Sequence, residues 1–246
     1  MRKIPRKALI ISGYFLKYPF RLLYSGNKVE CPICSGKFRK FLPYGVVSRP
    51  NVLCPKCLSL ERHRLIWIFL KNKTEFFSTN IKLLHVAPEQ CFRKYFKKQM
   101  NLEYITADLE SPIADVKLDI QDIPFDDNSF NMIMCNHVLE HVENDKQAMS
   151  EFFRVLKHNG FAILQVPLDT DRKKTYEDSS ITDPKEREKH FLQKDHLRLY
   201  GLDYPEILRD SGFYVEEINL IKELSHDLIE KYRLAPDEII YFAQKK

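Results

Sequence analysis

From residue 81 to the end of the chain, short apolar runs alternate with segments of helical periodicity, and this alternation limits the possible folds more than any other feature. Such runs are typical of strands that are buried on both faces, and the helices between them are typical crossovers of a parallel sheet. We therefore predict an α/β fold with a mostly parallel sheet. Its first five strands are predicted at 81–87, 102–108, 115–119, 130–136 and 161–167.

Two segments have the clearest helical periodicity, 60–77 and 144–160. The first is predicted to bury an apolar face and to turn Arg62 and Arg64 outward. The second is predicted to end at Gly160, because glycine commonly follows the last turn of a helix.

The last third of the chain first interrupts and then completes the alternation. Residues 168–198 are polar and rich in charge, which predicts a lid or loop insertion. A helix at 204–213 follows, and then two strands at 213–221 and 238–244. We expect these two strands to add a final pair to the parallel sheet.

Four of the six cysteines form two CxxC units, in a C-x2-C-x19-C-x2-C pattern. Four thiolates complete the closed tetrahedral shell that Zn²⁺ takes in structural sites, so we predict a structural zinc ion rather than a catalytic one. A redox pair or a coincidence does not explain two such units at this spacing. The small number of cysteines also favours a reducing, cytoplasmic compartment. The predicted ligands are Cys31, Cys34, Cys54 and Cys57.

Charge is distributed unevenly along the chain. Residues 1–80 carry 16 Lys and Arg against 3 Asp and Glu, a net charge of +13, whereas the rest of the chain has a net charge of −8. This basic region is either a solvated face or a surface for peripheral contact with nucleic acid or an anionic membrane. Lys17 and Arg21 interrupt an apolar run too short to span a bilayer, so we expect this segment to be retained.

Polar side chains stand at the ends of the predicted strands, where ligands bind in open α/β sheets. Asp108 ends the second strand, and a carboxylate there can accept hydrogen bonds from both hydroxyls of a ribose. Nucleotide sites for NAD use the same device, but the chain has no GxGxxG motif. Asp119 ends the third strand before a turn that could hold an adenine, and the fourth strand runs into Asn136 and His137.

These segments resemble the type 11 group of class I S-adenosylmethionine-dependent methyltransferases. The similar stretches are TAD, LDIQDIPFDDNSFNMIMCNHVLEHV and FFRVLKHNGFAILQVP, which cover most of 102–167. The runs CPKCLSLERHRL and HVAPE are similar to a branch of this family with an N-terminal four-cysteine zinc ribbon. The resemblance implies a Rossmann-like sheet of seven strands, with a terminal antiparallel pair, and S-adenosylmethionine as cofactor.

The resemblance also implies roles for individual residues. Asp108 would bind the ribose, Asp119 the adenine amino group, and Ile120 the adenine ring. Asn136 and His137 would line the methionine and sulfonium end.

The first loop, LLHVAPEQ, departs from the family pattern because it contains no glycine. Glycine normally lets the backbone approach the ligand closely at this point. We expect the residues of this loop to contact the cofactor instead, with a helix cap as the alternative role of Glu89. They are His85, Ala87, Pro88 and Glu89.

His137 and His196 are the candidate catalytic residues, as a general base or as positioning groups. For His196, a helix cap at the surface is the alternative. The predicted domains are a basic aromatic arm (1–28), a zinc ribbon (29–60) and a methyltransferase domain (61–246) with the insertion as its lid.

The sequence predicts methyl transfer to an acceptor that it does not identify. A small metabolite, a glycan or lipid-linked sugar, and RNA all fit. The alternative hypothesis is a catalytically silent adaptor that binds nucleic acid or protein through its zinc ribbon and basic arm.

Overall fold

The computed structural model describes residues 22–45, 47–112 and 114–246, so residues 1–21 of the predicted basic arm lie outside the described part. The described residues fall into two units. The first contains the chain up to Thr79 together with 89–100 and 219–238. The second contains 80–88, 101–218 and 239–246.

Helices and strands alternate over most of the described chain. In chain order they are β1 (Ser25–Cys31), β2 (Gly36–Phe38), β3 (Leu42–Tyr44), β4 (Arg49–Leu53), α1 (Glu61–Lys73), β5 (Ile81–Val86), α2 (Gln90–Phe96), β6 (Leu102–Asp108), β7 (Val116–Lys117), β8 (Phe130–Asn136), α3 (Asp145–Val155), β9 (Leu156–Gln165), β10 (Tyr176–Glu177), α4 (Pro184–Phe191), β11 (Arg198–Leu199), α5 (Tyr204–Asp210), β12 (Tyr214–Ile218), α6 (His226–Tyr232) and β13 (Ile240–Gln244).

The first unit is built on two small antiparallel hairpins, β1–β2 and β3–β4. Helices α1, α2 and α6 belong to the same unit, so the contacts group α1 with the cysteine module. The rings of Trp67 and Phe96 stack with centroids 6.0 Å apart. Lys231 of α6 pairs with Glu30 of β1 at 3.1 Å.

The second unit is an α/β structure around one sheet of seven strands in the order β12-β13-β9-β8-β5-β6-β7. Strands β7, β6, β5, β8 and β9 are parallel, and β13 runs antiparallel to both β9 and β12. This topology confirms the predicted Rossmann-like fold and its terminal antiparallel pair. The strand order reverses between β5 and β8, which makes their carboxyl ends the switch point where ligands bind in such sheets.

The central strands are apolar on both faces because helices cover a parallel sheet on both sides. β5 and β8 are buried along almost their whole length. The predicted strands at 102–108 and 130–136 coincide with β6 and β8. Within the described residues, no helix is both long and apolar enough to cross a membrane.

The predicted end of the helix at Gly160 is wrong. Helix α3 ends at Val155, and Gly160 lies inside β9. A Cβ atom at Gly160 would come within 2.9 Å of the carbonyl oxygen of Asn131, on the neighbouring strand, and within 2.8 Å of that of Lys157. Close approach of backbone, rather than helix capping, requires the glycine here.

The third strand is shorter than predicted. β7 contains only Val116 and Lys117, and Asp119 lies two residues beyond its end. The chain turns there because the Asp119 carboxylate accepts a hydrogen bond from the backbone N–H of Gln121 at 2.9 Å. An aspartate that binds the backbone two residues ahead favours a turn over a longer strand.

Candidate functional site

Two residues with a left-handed backbone conformation directly follow the strands at the switch point of the sheet. Ala87 follows β5 with φ 46°, and His137 follows β8 with φ 55°. The backbone N–H of Ala87 donates to the carbonyl of Ala107 at 2.8 Å, and that of His137 donates to the carbonyl of Gln165 at 2.7 Å. A left-handed conformation costs about 1–2 kcal/mol in a residue other than glycine, and such strain concentrates at functional sites.

The glycine-free first loop therefore keeps the backbone turn for which glycine is normally used. Ala87 adopts it with the smallest side chain that has a Cβ atom, and it remains partly exposed, whereas Pro88 is buried. The loop can thus expose its backbone at the end of β5 even without a glycine.

The other two candidates of this loop have partners inside the protein. His85 is fully buried in β5, and its Nδ1 atom lies 2.8 Å from the hydroxyl oxygen of Tyr104. Glu89 is the residue before the first turn of α2, but its side chain makes no capping hydrogen bond. Its Oε1 atom lies 3.7 Å from Nε2 of His63, and both residues belong to the first unit.

Asp108 stands at the carboxyl end of β6 as predicted, half-buried. Its Oδ1 atom accepts hydrogen bonds from the backbone N–H groups of Glu110 at 2.8 Å and Ser111 at 2.7 Å. These two bonds fix the carboxylate. In the described part of the chain no donor reaches its Oδ2 atom, so that oxygen is left to accept a hydrogen bond from a ligand.

Asp119 and Ile120 lie in the turn after β7, and Ile120 is buried. The side-chain amide of Gln121 lies 3.2 Å from both carboxylate oxygens of Asp119. The Oε1 atom of Gln121 accepts a hydrogen bond from the backbone N–H of Asn144 at 2.9 Å. One glutamine therefore ties this turn to the start of α3.

Two residues of α3 also hold the segment after Asp119, a role the sequence did not indicate. Glu151 accepts a hydrogen bond from the backbone N–H of Ile123 at 2.8 Å. The guanidinium of Arg154 donates to the carbonyl oxygens of Ile123 and Phe125, each at 2.8 Å. Arg154 also binds the Glu151 carboxylate and thereby holds the pKa of Glu151 below its usual value.

The predicted catalytic residue His196 belongs to a compact polar cluster, and His137, the other predicted catalytic residue, adjoins it. Glu140 and His141 belong to the short 3₁₀ helix after β8. One ligand atom each from Glu140, His141 and His196 lies within 4.8 Å of the others. His137 adjoins this group, with its Nδ1 atom 3.6 Å from Oε1 of Glu140.

Three polar atoms of this cluster are buried without a hydrogen-bond partner among the described residues. They are Nε2 of His137, Oε2 of Glu140 and Nε2 of His196. Burial lowers the pKa of His196, which favours the neutral imidazole. His196 is 2% exposed, so it is not the surface cap that the alternative interpretation proposed.

Arg198 fixes the segment that carries Glu140 and His141. Its buried guanidinium donates to the carbonyl oxygens of Leu139 at 2.8 Å, Val142 at 2.6 Å and Glu143 at 2.9 Å. No sequence pattern indicates this role, because the partners are backbone atoms more than 50 residues away.

A cleft of 650 Å³ opens within the second unit between the predicted insertion and the segment after the cluster. The insertion contributes β10 and α4 to this part of the chain. Its lining mixes acidic, basic and hydroxyl side chains with Leu197, the neighbour of His196. The cleft is large enough for a small polar ligand.

The first unit brings the four predicted metal ligands together. Cys31, Cys34, Cys54 and Cys57 are all buried, and none of them forms a disulfide. The sulfur atoms of Cys31 and Cys57 are 3.5 Å apart, and those of Cys34 and Cys54 are 3.7 Å apart. Four sulfurs placed about 2.3 Å from one ion at tetrahedral angles would be roughly 3.8 Å apart.

Each CxxC unit closes with the same backbone turn. The N–H of Ser35 donates to the carbonyl of Cys31 at 2.8 Å, and the N–H of Leu58 donates to that of Cys54 at 2.9 Å. Ser35 and Leu58 both have a left-handed backbone, with φ 52° and 61°. The two units therefore present their sulfurs in matching geometry.

Arg64 lies next to the cysteine cluster, and its predicted outward orientation is wrong. The side chain is 0% exposed. Its guanidinium donates to the carbonyl oxygens of Val52, Ser59, Tyr232 and Arg233 over 2.6–2.9 Å. Burial lowers its pKa, but arginine stays charged in proteins. A cation here would offset part of the negative charge of metal-bound thiolates.

The hydroxyl group of Ser59 and the neighbouring thiols favour ionisation at Cys31. Burial alone opposes it. Hydrogen bonds from Cys34, Cys54, Cys57 and Ser59 outweigh that effect and hold the pKa of Cys31 well below its usual value.

Comparison with known proteins shows that part of this chain is similar to a protein family. Residues 79–164 match the family described as a methyltransferase domain. The match covers about a third of the chain and includes the ends of β5, β6 and β8, where Ala87, Asp108 and Asn136 stand. It supports a methyltransferase activity.

One relative and several solved structures are also similar. An uncharacterized protein of Methanocaldococcus jannaschii is 35% identical over 95 residues, which is 38% of this chain and 42% of the relative. A candidate S-adenosylmethionine-dependent methyltransferase from Listeria monocytogenes is 18% identical with a TM-score of 0.47, covering 73% of this chain and 96% of the other. The cyclase SpnF is 16% identical with a TM-score of 0.48, covering 74% and 80%.

Proposed function

We propose that this protein is an S-adenosylmethionine-dependent methyltransferase. The observation that carries the proposal is the position of Asp108 within the matched domain. Its carboxylate ends the strand next to the switch point, and its Oδ2 atom takes no hydrogen bond from the described residues. That is where a Rossmann-like sheet presents an acceptor to the ribose of a nucleotide.

The residues at the other strand ends fit the rest of such a cofactor. Asp119 and the buried Ile120 would hold the adenine by its amino group and by apolar contact. Asn136 and His137 would line the methionine end, since both stand at the carboxyl end of β8. Ala87 and Pro88 would approach it with backbone from the end of β5.

S-adenosylmethionine supplies a methyl group on a positively charged sulfur and leaves as a neutral thioether. The main task of the chain is then to hold the acceptor in line with that methyl group and to exclude water. His137 has a buried Nε2 atom without a described partner, so it can position the acceptor or take a proton from it. Contact with the cofactor or the acceptor remains a prediction for His196, His85 and Glu89.

We further propose that the cysteine cluster holds a structural Zn²⁺ ion. The sulfur separations of 3.5 and 3.7 Å support this, because they are close to the edges of a zinc tetrathiolate and far longer than a disulfide bond. Elemental analysis of reduced protein is expected to give one zinc per chain from this cluster. Absence of zinc would contradict the assignment.

The acceptor and the partners of the basic region belong to the same proposal. The acceptor is a small metabolite, a glycan or lipid-linked sugar, or RNA, and the protein acts in the cytoplasm. If residues 1–80 bind nucleic acid or an anionic membrane, binding will weaken steeply as the salt concentration rises. A salt-independent association would point instead to an apolar surface.

Asp108→Asn is the sharpest test of the cofactor site. The amide oxygen of asparagine can still accept the two backbone hydrogen bonds of the turn, so the fold is kept while the charge is lost. A hydrogen bond to a charged group contributes about 1.5–3 kcal/mol, so affinity for S-adenosylhomocysteine should fall roughly tenfold to a hundredfold or more.

Glu110→Gln is the matched control, because Glu110 is an exposed carboxylate two residues away that contributes only its backbone to the turn. Calorimetric titration should show wild-type affinity for this variant. Equal binding by Asp108→Asn and wild type would refute the ribose assignment. Absence of binding by wild-type protein would instead favour the silent adaptor.

A further inference from the structure

The cluster next to His137 contains the elements of a second metal site. Glu140, His141 and His196 each bring one ligand atom within 4.8 Å of the other two. Two imidazoles and one carboxylate are a common ligand set for divalent transition metals that keep coordination positions open. The cysteine cluster, by contrast, is a closed set of four thiolates in the first unit.

The hydrogen bonds of both histidines leave the same nitrogen free for a metal. The Nδ1 atom of His196 lies 3.0 Å from the carbonyl oxygen of Phe191. The Nδ1 atom of His141 lies 3.1 Å from the carbonyl oxygen of Asp195. A carbonyl oxygen only accepts, so each Nδ1 carries the proton and each Nε2 keeps its lone pair. Metal-binding histidines are typically held by such a bond.

Two of the three groups are buried, and each has one polar atom without a hydrogen-bond partner in the described structure. Glu140 is 1% exposed and His196 is 2% exposed, and Oε2 of Glu140 and Nε2 of His196 have no hydrogen-bond partner there. A carboxylate oxygen that receives no hydrogen bond in such a place is costly, because burial removes its hydration. A cation bound between the two side chains would satisfy both atoms at once.

The backbone also holds the ligands in a fixed relation. The N–H of Leu197 donates to the carbonyl of Glu140 at 2.8 Å, which joins the chain next to His196 directly to the 3₁₀ helix. Arg198 binds the carbonyl of Leu139, the first residue of that helix, and that of Val142, which directly follows it. A preformed arrangement of this kind is what a metal site requires.

We propose that Glu140, His141 and His196 bind a divalent first-row transition-metal ion, such as Mn²⁺, Fe²⁺, Co²⁺ or Zn²⁺. Three protein ligands leave positions for an exogenous oxygen. The role of the ion, which rests on the proposed function, is to bind a hydroxyl oxygen of the methyl acceptor and lower its pKa. Methyl transfer would then break the O–H bond and the S–CH3 bond and form the O–CH3 bond, and His137, whose Nε2 atom has no described partner, would take the proton. The acceptor class is therefore a hydroxyl compound.

Binding of Mn²⁺ tests the site without any need for catalysis, in full-length protein that keeps one zinc per chain in the cysteine cluster after a mild chelator has removed more weakly held metal. Mn²⁺ favours oxygen and nitrogen ligands over thiolates, so the cysteine cluster does not contribute to the signal. Electron paramagnetic resonance of free Mn²⁺ gives the bound fraction. We expect one Mn²⁺ per chain, with affinity at least tenfold lower in His141→Ala and in Glu140→Gln.

His141→Ala is the more secure variant, because this side chain is 33% exposed and its loss should leave the fold intact. His158→Ala, at an exposed histidine in β9, is the matched control and should bind Mn²⁺ like wild type. Circular dichroism verifies that each variant is folded. Equal Mn²⁺ binding by wild type and a folded His141→Ala variant, or no binding by wild type, would overturn the proposal.

Titration of the same samples with S-adenosylhomocysteine separates the two proposals. Mn²⁺ binding that depends on His141 supports the metal site even where S-adenosylhomocysteine does not bind. Binding of S-adenosylhomocysteine without any Mn²⁺ binding supports the cofactor site and overturns the metal site.

Discussion

Replacement of Arg198 by methionine should destabilise the second unit by about 3 kcal/mol. Methionine keeps most of the apolar stem, so the change mainly removes hydrogen-bond donors. The carbonyl of Leu139 is buried and would lose its donor, at a cost of about 1–3 kcal/mol. The carbonyls of Val142 and Glu143 are only partly buried, so water can replace part of each bond, at about 0.5–1.5 kcal/mol apiece.

Thermal unfolding measured by circular dichroism can detect a change of this size. For a domain of this length, about 3 kcal/mol corresponds to a fall in Tm of roughly 6–12 °C. Hydrogen exchange at the amide of Leu197 should also accelerate, because that amide donates to the segment that Arg198 holds.

Arg209→Met is the control for the loss of an arginine. Its side chain is 45% exposed, and its one backbone hydrogen bond is long, at 3.4 Å. Its effect should stay within about 0.5 kcal/mol. If Arg198→Met were no more destabilising than Arg209→Met, the carbonyls of the 3₁₀ segment would have other donors, and the structural role of Arg198 would be refuted.

Three further predictions concern the first loop, the segment after Asp119 and the cysteine cluster. Ala87→Gly should leave the free energy of unfolding in urea unchanged or raise it by up to about 1 kcal/mol. The reason is that the relief of left-handed backbone strain at Ala87 exceeds the added entropy of the unfolded chain. Marked destabilisation would show that Ala87 is not strained. Glu151 has a lowered pKa in the folded state, so its contribution to stability is present above its unfolded pKa of about 4.3 and is lost as the pH falls through the lower folded value. Glu151→Gln should therefore differ from wild type in Tm at pH 7 and converge with it in acid, and a constant difference would exclude this linkage. Removal of the metal by a strong chelator, or Cys34→Ser, should unfold β1–β4, and an unchanged circular dichroism spectrum would count against a structural ion.

Periodicity was sufficient to predict the central strands because they are buried on both faces. β8 coincides with its predicted run, since a segment buried along almost its whole length has no other stable position in such a sheet. β6 also coincides with its predicted run, although it is less buried. Periodicity could not predict the boundary between α3 and β9. Residues 156–160 directly continue the helical segment, and pairing with distant backbone, of Leu156 with Phe130 and of Asn159 and Gly160 with Lys245, makes them a strand.

Arg64 shows why burial of a charge is difficult to predict. Its position on α1 and its residue type both indicate an exposed side chain. Four carbonyl oxygens accept hydrogen bonds from it, and two of them, in Tyr232 and Arg233, lie almost 170 residues away. Such partners leave no local pattern in the sequence.

The candidate sites also differ in how far local sequence patterns predict them. The spacing of the four cysteines predicts their convergence, because each CxxC unit is a local structure. Asp108 was predicted from its place at a strand end. The grouping of Glu140 and His141 with His196 was not predicted, because it depends on how the insertion returns the chain to the end of β8.

Calorimetric titration of the zinc-loaded, full-length protein with S-adenosylmethionine tests the central proposal most directly. The protein must first be shown by mass spectrometry to carry no copurified nucleotide. We predict saturable binding at one site per chain, with micromolar affinity or better. No binding by folded, ligand-free protein would contradict the methyltransferase assignment.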